Sequence, residues 1–326
     1  MKASASAPGK VILFGEHFVV YDEPAVVMAV NLRANVSVGE AQEPGVQVES
    51  QDLSMSGIFS DDFFYPKTGG MEARTVLEPI YLAVKAVSDK YGLKGGLSVR
   101  VKSEIPIAAG MGSSAAIAVA TVAAVARFFK LDLPRKEISQ LAHRAEEYVH
   151  GRPSGIDQTI STFGGVITYR RTCGFNPLEV SAPIPLVIGD TGQKRSTGKL
   201  VALVQERRER FPQVMDLIIR SGGILSSSAA EAMHKGDLRS LGELMNLNHG
   251  LLSAIGVSND MLDKLVNAAR EAGALGSKLT GAGGGGCMIA LADQSKIDEV
   301  ARAIETAGGH AIRVRDSKEG VSACLM

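Results

Sequence analysis

Three glycine-containing segments hold the residues best suited to chemistry. The first, residues 105–119, contains Gly110, Gly112, Ser113 and Ser114 directly before an alanine-rich run. Glycine lets a backbone approach a ligand closely, and Ser is a favoured helix N-cap. The unpaired N–H groups at a helix start bind phosphate well. We interpret this segment as an anion-binding loop, against the alternative of a glycine turn that leads into a buried helix.

Two better-known glycine motifs compete for the same interpretation. Residues 110–115 fit the dinucleotide pattern G-x-G-x-x-A, and Asp132 follows at a suitable distance for a ribose contact. However, a second helical stretch follows Asp132 where a βαβ unit needs a strand. The P-loop pattern needs G-K-S/T after the loop, no lysine follows Gly112, and residues 192–199 are one residue too long. Neither motif fits.

The second segment, H-G-R-P-S-G-I-D, ends at Asp157 and follows a helix that carries Glu146 and Glu147. Its glycines and proline predict a rigid turn that delivers the Asp157 carboxylate to a fixed point. The plainer alternative is an aspartate that binds the backbone of its own turn.

The third segment, residues 278–287, has five glycines within six residues. Ordering so many glycines costs entropy, which favours a close ligand approach over a flexible linker. Near the amino end, Lys10, Glu16 and His17 are three ionisable residues close to predicted strands. A solvated lysine and a capping glutamate are the plainer interpretation.

Composition narrows the class of protein. The 326 residues carry 35 basic and 35 acidic side chains, a formal net charge of zero. This balance argues against broad binding to nucleic acid or to an anionic membrane surface. The apolar run at 115–126 is too short to span a bilayer, and the amino end shows no signal-peptide pattern. Three cysteines without metal-ligand spacing suit a reducing compartment, so we expect a cytoplasmic protein.

Hydrophobic periodicity places these residues on elements. We predict strands at 11–14, 18–21, 97–101 and 164–169, further strands within 36–50, and a loop at 51–71. Helices are predicted at 74–91, 115–129 and 135–150. Beyond a boundary near residue 180 we predict a strand at 186–189, helices at 199–211, 214–235, 237–253, 259–271 and 295–306, and strands within 276–291 and at 310–314. The pattern predicts two domains, 1–180 and 181–326, of the α+β class.

Four segments together resemble the GHMP small-molecule kinases. They are P-G-K-V-I-L-F-G-E-H-F-V-V-Y, A-G-M-G-S-S-A-A, H-G-R-P-S-G-I-D and K-L-T-G-A-G-G-G-G-C, in this order across nearly the whole chain. Each motif is weak alone, but the ordered set is specific. The first and third most resemble the members of the family that phosphorylate mevalonate. The resemblance implies a ribosomal-S5-like N-terminal domain, a ferredoxin-like C-terminal domain, and ATP and substrate in the cleft between them.

The resemblance also implies site residues. ATP would be bound by Pro106, Ile107, Ala108, Ala109, Gly110, Met111, Gly112, Ser113, Ser114, Ala115 and Ala116, with Ala109 to Ala115 around the triphosphate. Mg²⁺ would be held by Ser114 and Glu146, and the catalytic pair would be Asp157 and Lys10. Glu16, His17 and Thr197 would lie near mevalonate, while Gly281, Ala282, Gly283 and Gly284 would support the cleft. The resemblance leaves a homodimer open.

Phosphoryl transfer suits these groups. An aspartate with a pKa near its usual value of about 3.9 is a weak base for an alcohol. In a loose transition state, however, the nucleophile loses its proton late. Asp157 would orient the hydroxyl and accept its proton, and Lys10 would offset the forming charge.

Two alternatives stay open at this point. A phosphorylated mevalonate as acceptor would need a basic cluster, for which Lys194 and Arg195 are a weak candidate. A non-catalytic nucleotide sensor could dispense with Lys10 and Asp157, so the presence of both favours an enzyme.

Overall fold

The computed structural model describes residues 1–60, 63–106, 110–150, 155–194 and 196–326, with the backbone alone at 148–150. Within these ranges, no helix is both long and apolar enough to cross a membrane.

Strands and helices alternate in groups along the chain. The strands are β1 (Lys2–Phe14), β2 (Ala25–Glu40), β3 (Val46–Ser50), β4 (Met55–Ser60), β5 (Phe63–Thr68), β6 (Leu97–Ser103), β7 (Val166–Arg170), β8 (Gly174–Leu178), β9 (Leu186–Asp190), β10 (Gly276–Leu279), β11 (Cys287–Leu291), β12 (His310–Val314) and β13 (Ser322–Leu325). The helices are α1 (Ala73–Tyr91), α2 (Ser113–Phe128), α3 (Arg135–His150), α4 (Ile156–Phe163), α5 (Thr197–Arg210), α6 (Pro212–Lys235), α7 (Leu238–Ala254), α8 (Asp260–Glu271) and α9 (Ile297–Thr306).

The larger sheet has the order β13-β1-β2-β6-β3-β4-β5, and β7 pairs with both β2 and β8. Its pairings are antiparallel except for β3 with β6. Helix α2 packs on β1 and β2 and also contacts α1, α3 and α4. Its alanines and valines are buried on nearly all sides, because short side chains let the neighbouring strands and helices approach it closely. The helix that follows the first glycine loop is therefore the centre of this unit.

The smaller sheet is fully antiparallel with the order β10-β11-β9-β12. Its strands are short, and the apolar strand β11 is buried at every position. Helices α8 and α9 pack on it, and α7 contacts β10. The mixed helix and strand content and the two separate sheets confirm the α+β prediction.

The segment 18–21, predicted as a strand, forms a 3₁₀ turn at Phe18–Tyr21, so that prediction is wrong. The physical reason is a tertiary contact. Phe18 is fully buried in the apolar cluster of the smaller-sheet unit, together with Met215 and Ile219 of α6. A Cβ atom on Gly222 would lie 2.1 Å from the Phe18 ring, so glycine there makes room for this insertion. The turn joins the two units.

The prediction of a loop at 51–71 is also wrong, because the segment contains β4 and β5. Tyr81 stacks on Phe59 with ring centroids 4.5 Å apart, so helix α1 covers these strands and supplies an apolar face. Strands β8 and β13 were not predicted, since their residues are mostly exposed and lack alternation.

Helix predictions were more accurate because their ends carry local signals. α1 ends at Gly92 in the left-handed region, and α3 has the predicted bounds. Every helix predicted after residue 190 is present within a few residues of its predicted ends. The domain boundary near residue 180 stays a prediction. The structure adds that β13 pairs with β1, so the chain returns to the larger sheet after the smaller one is complete.

Candidate active site

Lys10 lies on β1 against the glycine loop that leads into α2. The Lys10 backbone N–H donates to the carbonyl of Met111 at 2.8 Å, and the pairing of β1 with β2 shifts register between Pro8 and Lys10. Register shifts re-aim side chains at functional sites. The lysine is 5% exposed, which does not fit the interpretation of a solvated lysine.

Gly112 shows how closely Lys10 crosses this loop. Its φ is +72°, a region that side-chain-bearing residues rarely adopt, and a Cβ atom there would lie 2.9 Å from Lys10 Cγ. Position 112 therefore needs glycine both for its backbone and for the lysine side chain.

Asp157 lies in the first turn of α4, whose N-cap is Gly155. Lys10 Nζ is 3.1 Å from Asp157 Oδ1, and the two side chains are 7% and 36% exposed. The lysine thus approaches from a dry interior, whereas the carboxylate borders solvent and can reach a ligand. Residues 151–154 of the predicted turn lie outside the described residues.

Glu146 of α3 is buried beside this pair. Gln158 of α4 donates a hydrogen bond to Glu146 Oε2. Burial and the negative charge of Asp157 together raise the pKa of Glu146 to about 7, although the Gln158 hydrogen bond and the charge of Lys10 act to lower it. Among the described residues, the two carboxylates of Asp157 and Glu146 share the positive charge of Lys10.

Helix α2 begins differently from the sequence prediction. Its N-cap is Gly112 and no side chain caps it, so the prediction of a serine N-cap is wrong. Ser113 and Ser114 instead occupy the first turn, and Ser114 is exposed. A glycine cap leaves both hydroxyls and the first N–H groups available to a ligand.

The other loop residues divide by burial. Met111, Ala115 and Ala116 are buried, Pro106 is partly buried and Gly110 is exposed. Ile107, Ala108 and Ala109 lie outside the described residues. The buried side chains anchor the loop, while exposed Gly110 and Ser114 border solvent.

The glycine loop of the smaller-sheet unit reaches β1. Thr280 Oγ1 donates to the carbonyl of Ile12 at 2.7 Å, two residues beyond Lys10. The Gly284 N–H donates to the carbonyl of Val257 at 2.8 Å. Gly281 and Gly283 lie between these anchors with φ of +74° and +77°.

Family models match this arrangement. A model described as the GHMP kinases N terminal domain matches residues 78–165, and one described as GHMP kinases C terminal matches 229–310. Mevalonate kinases of Thermococcus gammatolerans and Pyrococcus furiosus are 45% and 43% identical over 330 residues, which cover 98% of this chain and 98% of each relative. The chain belongs to the GHMP kinase family. It is a small-molecule kinase, and ATP use follows from membership.

Solved structures agree with this GHMP kinase fold. The crystal structure of L. major mevalonate kinase in complex with R-mevalonate has a TM-score of 0.83 and 31% identity, and the match covers 97% of this chain and 96% of that one. Methanococcus jannaschii mevalonate kinase has a TM-score of 0.84 and 27% identity, with 96% of this chain and 98% of that chain covered.

The three residues predicted near the substrate of this GHMP kinase differ in placement. Thr197 is exposed at the first turn of α5. His17 is buried, and its Nε2 is 2.8 Å from the carbonyl of Ala282, which accepts the hydrogen bond. The Glu16 side chain is fully buried and forms an ion pair with Lys278, with no exposure on either side chain. Glu16 therefore lies between the two units, and its predicted role as a substrate contact stays untested.

Lys278 and Asn248 were missed by the sequence predictions. Asn248 Nδ2 donates to Glu16 Oε2 at 3.2 Å, and Lys278 donates to Glu16 Oε1. Burial lowers the pKa of Lys278, although the charge of Glu16 and its hydrogen bond act to raise it. The sequence signal for Lys278 was weak, because a lysine before a glycine loop predicts neither burial nor an ion-pair partner 262 residues away.

Proposed function

We propose that this GHMP kinase transfers the γ-phosphoryl group of ATP to the primary hydroxyl of mevalonate, giving 5-phosphomevalonate for isoprenoid precursor synthesis. The observation that carries the proposal is the contact of Lys10 with Asp157 beside the start of α2. Relatives named mevalonate kinase, aligned over nearly the full chain, support the choice of acceptor. The L. major structure holds R-mevalonate, which supports the same choice.

The roles of the pair follow from their surroundings. Asp157 borders solvent, so a substrate hydroxyl can approach its free carboxylate oxygen and be oriented by it. In a loose transition state the hydroxyl proton passes to the carboxylate late, and an ordinary carboxylate is then basic enough. Lys10 supplies a buried positive charge that stabilises negative charge shifting between the transferred group and the nucleophile.

Mg²⁺ fits the residues predicted to hold it. Glu146 is a carboxylate whose pKa is raised by burial and by the negative charge of Asp157, and Ser114 offers an exposed hydroxyl at the start of α2. Hydroxyl, carboxylate and phosphate oxygens are the ligands that Mg²⁺ prefers. We propose that these two residues hold the ion, which when bound neutralises charge on the phosphates.

The loop 106–116 is proposed to bind ATP, with residues 109–115 around the triphosphate. The helix start at Ser113 provides N–H donors and a partial positive charge. Thr197 and His17 are proposed to border the mevalonate side, and 281–284 to close the cleft from the second unit. The homodimer and the cytoplasmic location also remain predictions.

Phosphomevalonate is a weaker acceptor candidate. Streptococcus pneumoniae phosphomevalonate kinase is 16% identical, a likeness that shows the fold alone. Lys194 is exposed and Arg195 lies outside the described residues, so this predicted pair supplies no described basic cluster to favour a phosphorylated acceptor.

A coupled assay of ADP release tests the proposal. Mevalonate, phosphomevalonate, homoserine and galactose are compared at equal concentrations, and the product is identified by mass and by phosphorus NMR. We expect turnover with mevalonate to exceed the others by at least tenfold in kcat/KM. A preference for another alcohol would reject mevalonate as the acceptor, and ATP hydrolysis without product would reject the transfer.

A further inference from the structure

The ion pair between Glu16 and Lys278 is buried, so both charges lose their hydration. Each buried charge costs several kcal/mol in lost hydration, and an apolar pair of similar volume often stabilises a protein as well. Both side chains are fully buried, so no contact with water offsets this loss of hydration. Their presence therefore calls for a role other than stability.

The pair joins three elements that meet behind the cleft. Glu16 follows β1, Asn248 lies on α7 and Lys278 on β10. Besides Glu16, the Lys278 ammonium donates to the carbonyl of Leu279 at 2.7 Å and lies 5.9 Å from the centroid of the Phe14 ring. The ammonium is thus held by groups from both units.

The residues from Lys278 to Ala282 are held on two sides. Thr280 donates to Ile12, and Ala282 accepts from His17, so 278, 280 and 282 all contact the segment 12–17. The Leu279 N–H donates to His249 Nδ1 of α7 at 3.3 Å. Strand β10 ends at Leu279 and Gly281 turns the chain with φ of +74°, so these hydrogen bonds fix the entry to the glycine loop against both the segment 12–17 and α7.

We propose that Lys278 is a positioning residue for phosphoryl transfer. Its pair with Glu16 fixes the position of 278–282 against the segment 12–17, and so places the glycine loop relative to Lys10. Ile12, which accepts from Thr280, is two residues from Lys10, or about 7 Å along a strand. A slip of this segment would move the second unit's wall of the cleft against the Lys10–Asp157 pair. A misplacement of about 1 Å can cost about 100-fold in rate. The inference rests on the proposed function for the identity of the acceptor alone.

The test compares Lys278→Met, Glu16→Gln and the double variant with a matched control, Ser277→Ala. Ser277 is equally buried, adjoins Lys278 and donates to the carbonyl of Val266 away from the cleft. Unfolding in urea gives the folded fraction, and kcat and KM are measured where every variant is at least 95% folded. Each single charge variant leaves a buried charge unpaired, so we expect lower stability and a kcat reduced about 100-fold.

The double variant separates positioning from stability. With no unpaired charge left, its urea midpoint should return most of the way to wild type, while kcat stays at least tenfold low and KM for ATP changes less than threefold. Ser277→Ala should lose stability but keep its kcat per folded molecule. A double variant with wild-type kcat would overturn the proposal, as would single variants whose activity falls only with the folded fraction.

Amide hydrogen exchange is measured without substrate, so it tests the positioning role whichever alcohol the enzyme phosphorylates. In Lys278→Met, the Thr280 and Gly284 amides, bonded to Cys287 and Val257, should exchange at least tenfold faster, while those of β9 stay unchanged. Unchanged exchange in 280–286 would overturn the proposal even if mevalonate proved the wrong acceptor. Faster exchange without turnover of mevalonate would support it and reject only the proposed acceptor.

Discussion

Replacing Lys10 with Met tests the core of the mechanism. Two unit charges 3.1 Å apart attract by about 5 kcal/mol at an effective dielectric constant of about 20. The Asp157 side chain is 36% exposed, so water screens part of this attraction. We expect the barrier to rise by about 2–4 kcal/mol, as for other preorganised charges, which lowers kcat by roughly 30- to 1000-fold. An exposed lysine would cost about 1 kcal/mol or less.

The assay is a double-mutant cycle of Lys10→Met and Asp157→Asn. Asp157→Asn alone should lower kcat by at least about 100-fold, because a positioned proton acceptor is lost while the shape is kept. Since the two groups act on one hydroxyl, the double variant should lose much less than the sum of the single losses. The KM for ATP should change little in all three.

Steady-state kcat values with saturating mevalonate decide the matter. Fully additive losses would refute the idea that the two residues act together. A Lys10→Met enzyme with near-normal kcat would show that the lysine only supports the glycine loop. An Asp157→Asn enzyme with more than about a tenth of the wild-type activity would reject Asp157 as the proton acceptor.

Three other perturbations give distinct expectations. Ser114→Ala and Glu146→Gln should each raise the half-saturating Mg²⁺ concentration in an activity titration, since each removes an oxygen ligand; unchanged values in both would place the metal elsewhere. Gly112→Ala should destabilise by about 1–2 kcal/mol and lower kcat at least tenfold, because its Cβ displaces the catalytic lysine. Gly174→Ala is the control, because Gly174 has a similar φ and nothing lies within 4 Å of the added Cβ, so this variant should show the backbone strain alone. Equal losses of kcat in the two alanine variants would contradict the proposed clash with Lys10. Burial lowers the pKa of His249 to about 4, so the unfolded chain binds the extra proton between pH 6.5 and 4. Stability should fall by up to about 3 kcal/mol as pH drops through that window, and urea midpoints of His249→Asn should show a shallower fall.

The sequence predicted those parts of the fold whose signals are local. Helix α1 has regular apolar spacing and a glycine stop, and both survive in the structure. The segment at Phe18 has the composition of a strand, but its conformation depends on a pocket beside Gly222, about 200 residues away. No local pattern reports such a partner, so the prediction failed there.

In the candidate site, too, the residues with local sequence signals were predicted and the long-range partner was not. The types of Lys10, Asp157 and Glu146 indicated chemistry from sequence, and the structure brings these residues together. The partner of Glu16 could not be predicted, because Lys278 lies 262 residues away and its burial depends on the junction of the two units.

The pairing of β13 with β1 has a consequence for biosynthesis. Met326 donates its backbone N–H to the carbonyl of Lys2, and Asp316 bridges to Val30, so the larger sheet is completed by residues that follow the smaller sheet in the chain. Strand β12 completes the smaller sheet before β13 is synthesised, so the strand that carries Lys10 is the later of the two to gain its last neighbour. Until β13 pairs, β1 presents an open edge, the kind of surface on which nascent chains associate. Truncation after Arg315 should therefore keep every strand of the smaller sheet and leave the outer edge of β1 unpaired.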